Sequence, residues 1–237
     1  MRSLWSCLVA IILIVIPGSA AALAANPYTG TGIDVSWPNC KVIAHAVPKT
    51  SFAVVGVNDG LDFTGSPCIA LEAQSFPDYS LYLSTGYPGI NDKHAYQVYP
   101  KLCAPTDTVC FAYNYGFNAA RYSVDYAALH DVHSTKWWLD VETVNSWSSN
   151  PYINVASLQG MVAALKQLTF LASVGFYAYP GQWKLLTGSW KNDTATWAAT
   201  GTYSRTAARK ACSQPSFTGG NVVLTQYTLK LDQDFTC

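Results

Sequence analysis

The segment Trp138-Leu139-Asp140-Val141-Glu142 places two acids two residues apart at the end of an apolar run. In a strand, successive side chains alternate between faces, so Asp140 and Glu142 share one face while Leu139 and Val141 share the other. Two carboxyls separated by about 7 Å of strand raise one another's pKa when withdrawn from water. That pairing suits the cleavage of a glycosidic bond. One carboxyl, kept protonated, delivers a proton to the leaving oxygen, while others, ionised, stabilise positive charge on the sugar. Gly32-Ile33-Asp34-Val35-Ser36 repeats the alternation and adds Asp34 as a third acid. Near the other end, Gln226-Tyr227 is followed by Leu231-Asp232-Gln233-Asp234. Acids therefore stand at the C-terminal ends of the first, middle and last apolar runs.

Those runs alternate with amphipathic stretches, the mark of a parallel α/β arrangement. Residues Gly32–Ser36, Phe52–Val57, Tyr79–Ser84, Lys136–Glu142, Val174–Tyr179, Ala195–Ala199 and Val222–Tyr227 read as strands, with an eighth possible near Phe111–Tyr115. Asn118 is expected to cap a helix reaching about His130. Ser157 is expected to cap another, with Leu158, Met161, Leu165 and Leu168 along one face. The expected fold is α/β, a single-domain β/α (TIM-like) barrel. In such barrels the C-terminal strand ends carry the active site, where Asp34, Asp140 and Glu142 would meet. An open doubly wound sheet is the competitor, but no GxGxxG or Walker loop follows any strand.

Composition narrows the class. The chain holds 8 Trp, 15 Tyr and 9 Phe, and only 12% of its residues are charged. It has 14 basic and 14 acidic residues, with no basic stripe for a nucleic acid and no polybasic segment for an anionic membrane. Arg2, the apolar run Leu8–Ile16 and the small residues of Ala22-Leu23-Ala24 predict a signal peptide over 1–24, cleaved near Ala24. The run is shorter than the roughly 20 residues a permanent span requires, so no stable membrane anchor is expected. The barrel domain would then occupy 25–237. Of 7 cysteines, Cys7 leaves with the leader. An exported chain with an even remainder implies disulfides. Spacing favours Cys103–Cys110 and Cys212–Cys237, leaving Cys40–Cys68. No zinc-type spacing links these cysteines. His130 and His133 have metal-compatible spacing but no third ligand nearby. No GxSxG elbow or HExxH motif occurs.

GIDVS near the start, a hydrophobic run ending in DVE, and QY followed by an aspartate element together resemble glycoside hydrolase family 25. Phe176-Tyr177-Ala178-Tyr179 with Trp183 is similar to that family's strand-plus-aromatic segment. The resemblance runs from about Thr31 to Phe235. It implies a β/α barrel, irregular in its last strands, that hydrolyses the β-1,4 bond between N-acetylmuramic acid and N-acetylglucosamine. Carried over residue by residue, it makes Glu142 the general acid and Asp140 an assistant at the reacting sugar. Asp34 and Asp232 complete the acidic floor, and Tyr177, Tyr179, Trp183 and Gln226 bind substrate. The implied partner is peptidoglycan or a related glycan, bound by a secreted monomer without cofactor or metal. The alternative is a barrel that binds cell-wall glycan, or another partner, without cutting it.

Overall fold

The computed structural model describes residues 26–237. The expected signal peptide lies outside the described residues. Eight strands close into one barrel in sequence order. They are β1 (Thr31–Val35), β2 (Phe52–Gly56), β3 (Tyr79–Ser84), β4 (Lys136–Asp140), β5 (Ser173–Ala178), β6 (Ala195–Ala199), β7 (Val222–Thr228) and β8 (Asp232–Thr236). The first seven run parallel, and β8 pairs antiparallel with both β7 and β1. Between them lie α1 (Cys40–His45), α2 (Ile69–Gln74), α3 (Thr108–Leu129), α4 (Pro151–Leu168), α5 (Pro180–Thr187) and α6 (Arg205–Ala211). A register shift where β6 meets β7 adds to the irregularity of the last strands.

Strand alternation builds two separate cores. Outward side chains such as Ile33, Val55, Leu81, Leu139, Val141 and Phe176 pack with Leu158, Met161 and Leu165 of α4. Burying each such aliphatic side chain is worth roughly 1.5–3 kcal/mol. The helices α3 and α4 approach closely because two glycines face each other's backbone. A Cβ on Gly116 would sit 1.9 Å from the Ser157 carbonyl oxygen, and one on Gly160 would sit 2.0 Å from that of Tyr113. Inward, Phe52 and Trp138 fill the lower barrel with Tyr28, Val54 and Leu224.

Several expectations change. The eighth strand is Asp232–Thr236, whereas Phe111–Tyr115 belongs to α3. Neither Asn118 nor Ser157 caps a helix. The cap of α3 is Asp107, whose carboxylate accepts from the Cys110 amide at 2.9 Å. That of α4 is Asn150, followed by Pro151. Asn114 and Asn118, one turn apart on α3, instead anchor the long segment between β3 and α3. Their side-chain amides donate to the carbonyls of Gln97, Lys101 and Tyr99. The Ser157 hydroxyl donates to Gly86 in the same segment. Buried polar groups need partners, and here the partners are loop carbonyls rather than helix ends.

The disulfides are Cys40–Cys68, Cys103–Cys110 and Cys212–Cys237. Among the described residues no helix is long and apolar enough to cross a membrane.

Candidate active site

The lower barrel is filled by two large rings, and glycines make room for them. A Cβ on Gly32 would fall within the Phe52 ring, and one on Gly175 within that of Trp138. The Trp138 indole donates to the Tyr28 hydroxyl at 2.7 Å. Above this apolar plug, the same inward faces turn polar. Asp34 stands two residues beyond Gly32, Asp140 two beyond Trp138, and Tyr177 two beyond Gly175. Glu142 continues the face past the end of β4, and Asp232 enters from β8.

These groups surround a cavity of about 310 Å³ at the barrel mouth. Its walls carry Asp34, Asp140, Glu142, Asp232, Tyr177 and Gln226, together with Tyr82, Trp197, Ser36, Pro38 and Asn39. One hydrogen-bonded chain crosses it. The Tyr177 hydroxyl donates to Gln226 Oε1 at 2.7 Å, and Gln226 Nε2 donates to Asp34 Oδ2 at 2.9 Å. The loops beyond β4 are pinned by their backbone. The amide and hydroxyl of Thr85 both donate to the Asp140 carbonyl, and the Trp147 indole donates to that of Glu142 at 2.8 Å.

Among the described residues no lysine, arginine or histidine lines the cavity, so protons and hydrogen bonds compensate its acids. Burial, then the neighbouring Asp232, pushes Asp34 up to about 8, although the Gln226 hydrogen bond opposes this. Asp140, buried with Oδ1 unpartnered, is raised well above the usual carboxylate range by burial and by Glu142 and Asp34. Burial, then Asp232, raises Glu142. The arrangement can hold protonated and ionised carboxyls side by side, which proton delivery to a glycosidic oxygen requires.

Asp234 deepens this cluster. Paired across to Gln226 and Gly32, it is almost fully buried, and neither carboxyl oxygen has a hydrogen bond. Burial and the Asp34 charge raise its pKa. Its alternation with Asp232 was visible in the sequence. Tyr82 and Trp197 are further wall residues that sequence reasoning missed. The inward faces of β3 and β6 could have identified both.

Of the residues expected to bind sugar, Tyr177 and Gln226 line the cavity. Tyr179 lies just past β5, where the charges of Glu142 and Asp232 reach it, and it borders a neighbouring depression lined by Pro180, Ala199 and Thr200. Trp183 is a correction: it is 1% exposed and packs among Phe176, Trp190 and Phe217. Its indole donates to the Trp190 carbonyl at 3.1 Å. Position 183 falls on the face of α5 turned toward the outside of the barrel wall, so the ring joins the helix–sheet core.

The His130–His133 pair holds no metal-like arrangement. His130 Nδ1 meets the Tyr126 carbonyl at 2.8 Å, and His133 pairs with Asp131 at the surface. Among the described residues the one cluster of three candidate ligands is Cys40, Cys68 and Glu72, whose two sulfurs are bonded to each other.

The family described as lysozyme-like protein 1 matches residues 109–210. No curated protein matches the sequence. Among solved structures, a glycosyl hydrolase 25 of Streptococcus pneumoniae, described as a virulence factor participating in host cell invasion, superposes with TM-score 0.54 at 17% identity. It covers 87% of this chain and 86% of its own. A muramidase from Trichobolus zukalii gives TM-score 0.55 at 14% identity, covering 88% and 94%. At these identities the two structures establish the shared barrel fold.

Proposed function

From a lysozyme-like sequence on a barrel of the glycoside hydrolase family 25 type, we infer that this chain is a glycosidase of cell-wall glycan. The finer reading is a muramidase that cleaves the β-1,4 bond following N-acetylmuramic acid. The observation that carries it is the acid-lined cavity at the barrel mouth, where Asp34, Asp140, Glu142 and Asp232 converge.

Glu142 holds its proton above the ordinary range and gives it to the glycosidic oxygen as the C1–O bond breaks. Positive charge grows at the sugar's anomeric carbon. The substrate's own N-acetyl oxygen attacks that carbon, and Asp140 orients the amide by accepting from its N–H. Glu142, now ionised, takes a proton from water as the water attacks C1, which restores the acid and retains configuration. Asp232 stands where negative charge favours the cationic transition state, and Asp34, pushed up to about 8, joins it only as the pH rises past that value. The Tyr177–Gln226–Asp34 chain holds Asp34 in place. Three disulfides support action outside the cell, after loss of residues 1–24.

The test is digestion of purified peptidoglycan by the oxidised protein, with products analysed by mass spectrometry. New reducing-end N-acetylmuramic acid, absent with Glu142→Gln, is the expected result. Wall binding by a folded protein without release of fragments would overturn the reading in favour of a non-catalytic glycan-binding barrel.

A further inference from the structure

A second cavity, also of about 310 Å³, opens between the loops that follow β2, β3 and β4. Glu142 borders the acid-lined mouth and Asn145 and Ser146 border this one, so one short loop separates them. The walls of the second cavity include Asp62, Phe63, Asp92, His94 and Tyr115. Phe63 and His94 stack with centroids 4.0 Å apart, and Tyr115 meets Phe63 edge-on at 5.2 Å. Asp62 Oδ2 accepts from the Tyr115 hydroxyl at 3.1 Å, while Oδ1 is shielded from solvent without a partner. Lys93 also borders the cavity, yet among the described residues no cation forms an ion pair with Asp62 or Asp92.

An enclosed carboxyl with unfilled lone pairs is costly unless a donor reaches it. Neutral sugar hydroxyls would meet the lone pairs but do nothing to stabilise the ionised form of Asp62. A metal ion needs converging ligands, and Asp62, Asp92 and His94 do not form such a group. An ammonium supplies both charge and three donors, and the aromatic rings beside it add cation–π attraction.

We propose that this cavity is a subsite for a primary ammonium group carried by the wall polymer. Its naming of the polymer rests on the glycosidase reading; the amine preference does not. The amine could belong to a de-N-acetylated sugar or to a free amino group on a stem peptide. Burial, together with the charge of Asp92, holds Asp62 up at about 8 against the opposing hydrogen bonds from Tyr115 and the Gly86 backbone. The groups facing it are Tyr115 from α3 and Asp92, Lys93 and His94 from the loop before it, so an arriving cation favours its ionised form.

The experiment is calorimetric titration of the disulfide-intact Glu142→Gln protein, which removes turnover. The probes are a glucosamine tetramer, its fully N-acetylated counterpart, and the tripeptide L-Ala-γ-D-Glu-L-Lys with and without acetylation of the lysine amine. At least one free-amine probe is expected to bind about tenfold tighter than its acetylated twin, a difference of about 1.4 kcal/mol. Which probe shows the gain assigns its source. Asp62→Asn should abolish the preference, and Asp92→Asn should reduce it several-fold. Equal affinity of free and acetylated probes overturns the proposal, as does a preference that survives in both folded variants. If Asp62→Asn does not fold, an unchanged preference in Asp92→Asn is sufficient to reject it. An inactive wild-type protein that keeps the amine preference would sink the glycosidase reading and leave the subsite standing.

Discussion

Leu139 and Asp140 are neighbours in sequence and face opposite sides of one barrel wall. Leu139 is fully buried among aliphatic side chains beneath the helices. Asp140 is almost as deeply buried, at 7% exposure, yet it faces other acids and one of its oxygens has no partner. The outer side gains stability with every contact. The inner mouth gathers like charges that would repel if all were ionised. A strand reconciles the two because adjacent residues never share a face, so function and packing can be written into the same five-residue word.

Breaking the inner side should cost activity and little stability. Glu142→Gln is expected to lower kcat by about a thousandfold or more, since the proposed mechanism routes both proton transfers through Glu142. Its Tm should be unchanged or slightly raised. Muropeptide release and thermal melts would measure the two effects together. Breaking the outer side should do the reverse. Leu139→Ala is expected to destabilise by about 2–5 kcal/mol through the cavity it leaves, seen as a lower denaturant midpoint, with the residual folded enzyme still active.

The pH dependence follows from the same contrast. Asp34 and Asp62 titrate near 8 and Glu72 near 7 in the folded chain, against about 4 when unfolded. Each is protonated in both states below pH ~4, and its contribution is then fully present. As pH rises, the unfolded chain releases its protons first, so stability declines progressively up to about pH 8. Thermal melts from pH 4 to 9 should show this decline, and a maximum near neutrality would contradict it. Glu72 isolates one contribution, because it lies fully buried on α2 with both oxygens unpartnered. Glu72→Met should stabilise by about 1–3 kcal/mol at pH 8 and much less at pH 5.

The smallest effect is expected along the hydrogen-bonded chain across the mouth. Tyr177→Phe removes the donor to Gln226 and should reduce kcat several-fold, because Asp34 loses part of its positioning. It should cost only about 1 kcal/mol of stability. A thousandfold loss would instead mean that the hydroxyl itself meets the reacting sugar.

Much of this organisation was legible in the chain. Period-two alternation in GIDVS and WLDVE separates Ile33, Val35, Leu139 and Val141 from Asp34, Asp140 and Glu142, and the barrel keeps that separation. The three cysteine pairs follow their spacing. Trp183 was misread because a tryptophan near a site has the same composition in a core as in a groove. Asn118 and Ser157 were misread as caps because their side chains suit helix starts. The carbonyls they meet, Tyr99 and Gly86, lie far away in sequence.

By itself the sequence determined what is local and periodic: which residues alternate across the early and middle strands, and that Asp34, Asp140 and Glu142 share the faces opposite Ile33, Leu139 and Val141. Only the tertiary structure decided what depends on closure. It turned β8 antiparallel, brought Asp232 and Asp234 to Asp34 across the seam, sent Trp183 outward, and enclosed Asp62 beside a second cavity. The reason is physical. Alternation is a property of a single strand, whereas the burial and mutual repulsion of charges exist only once distant strands share one low-dielectric interior.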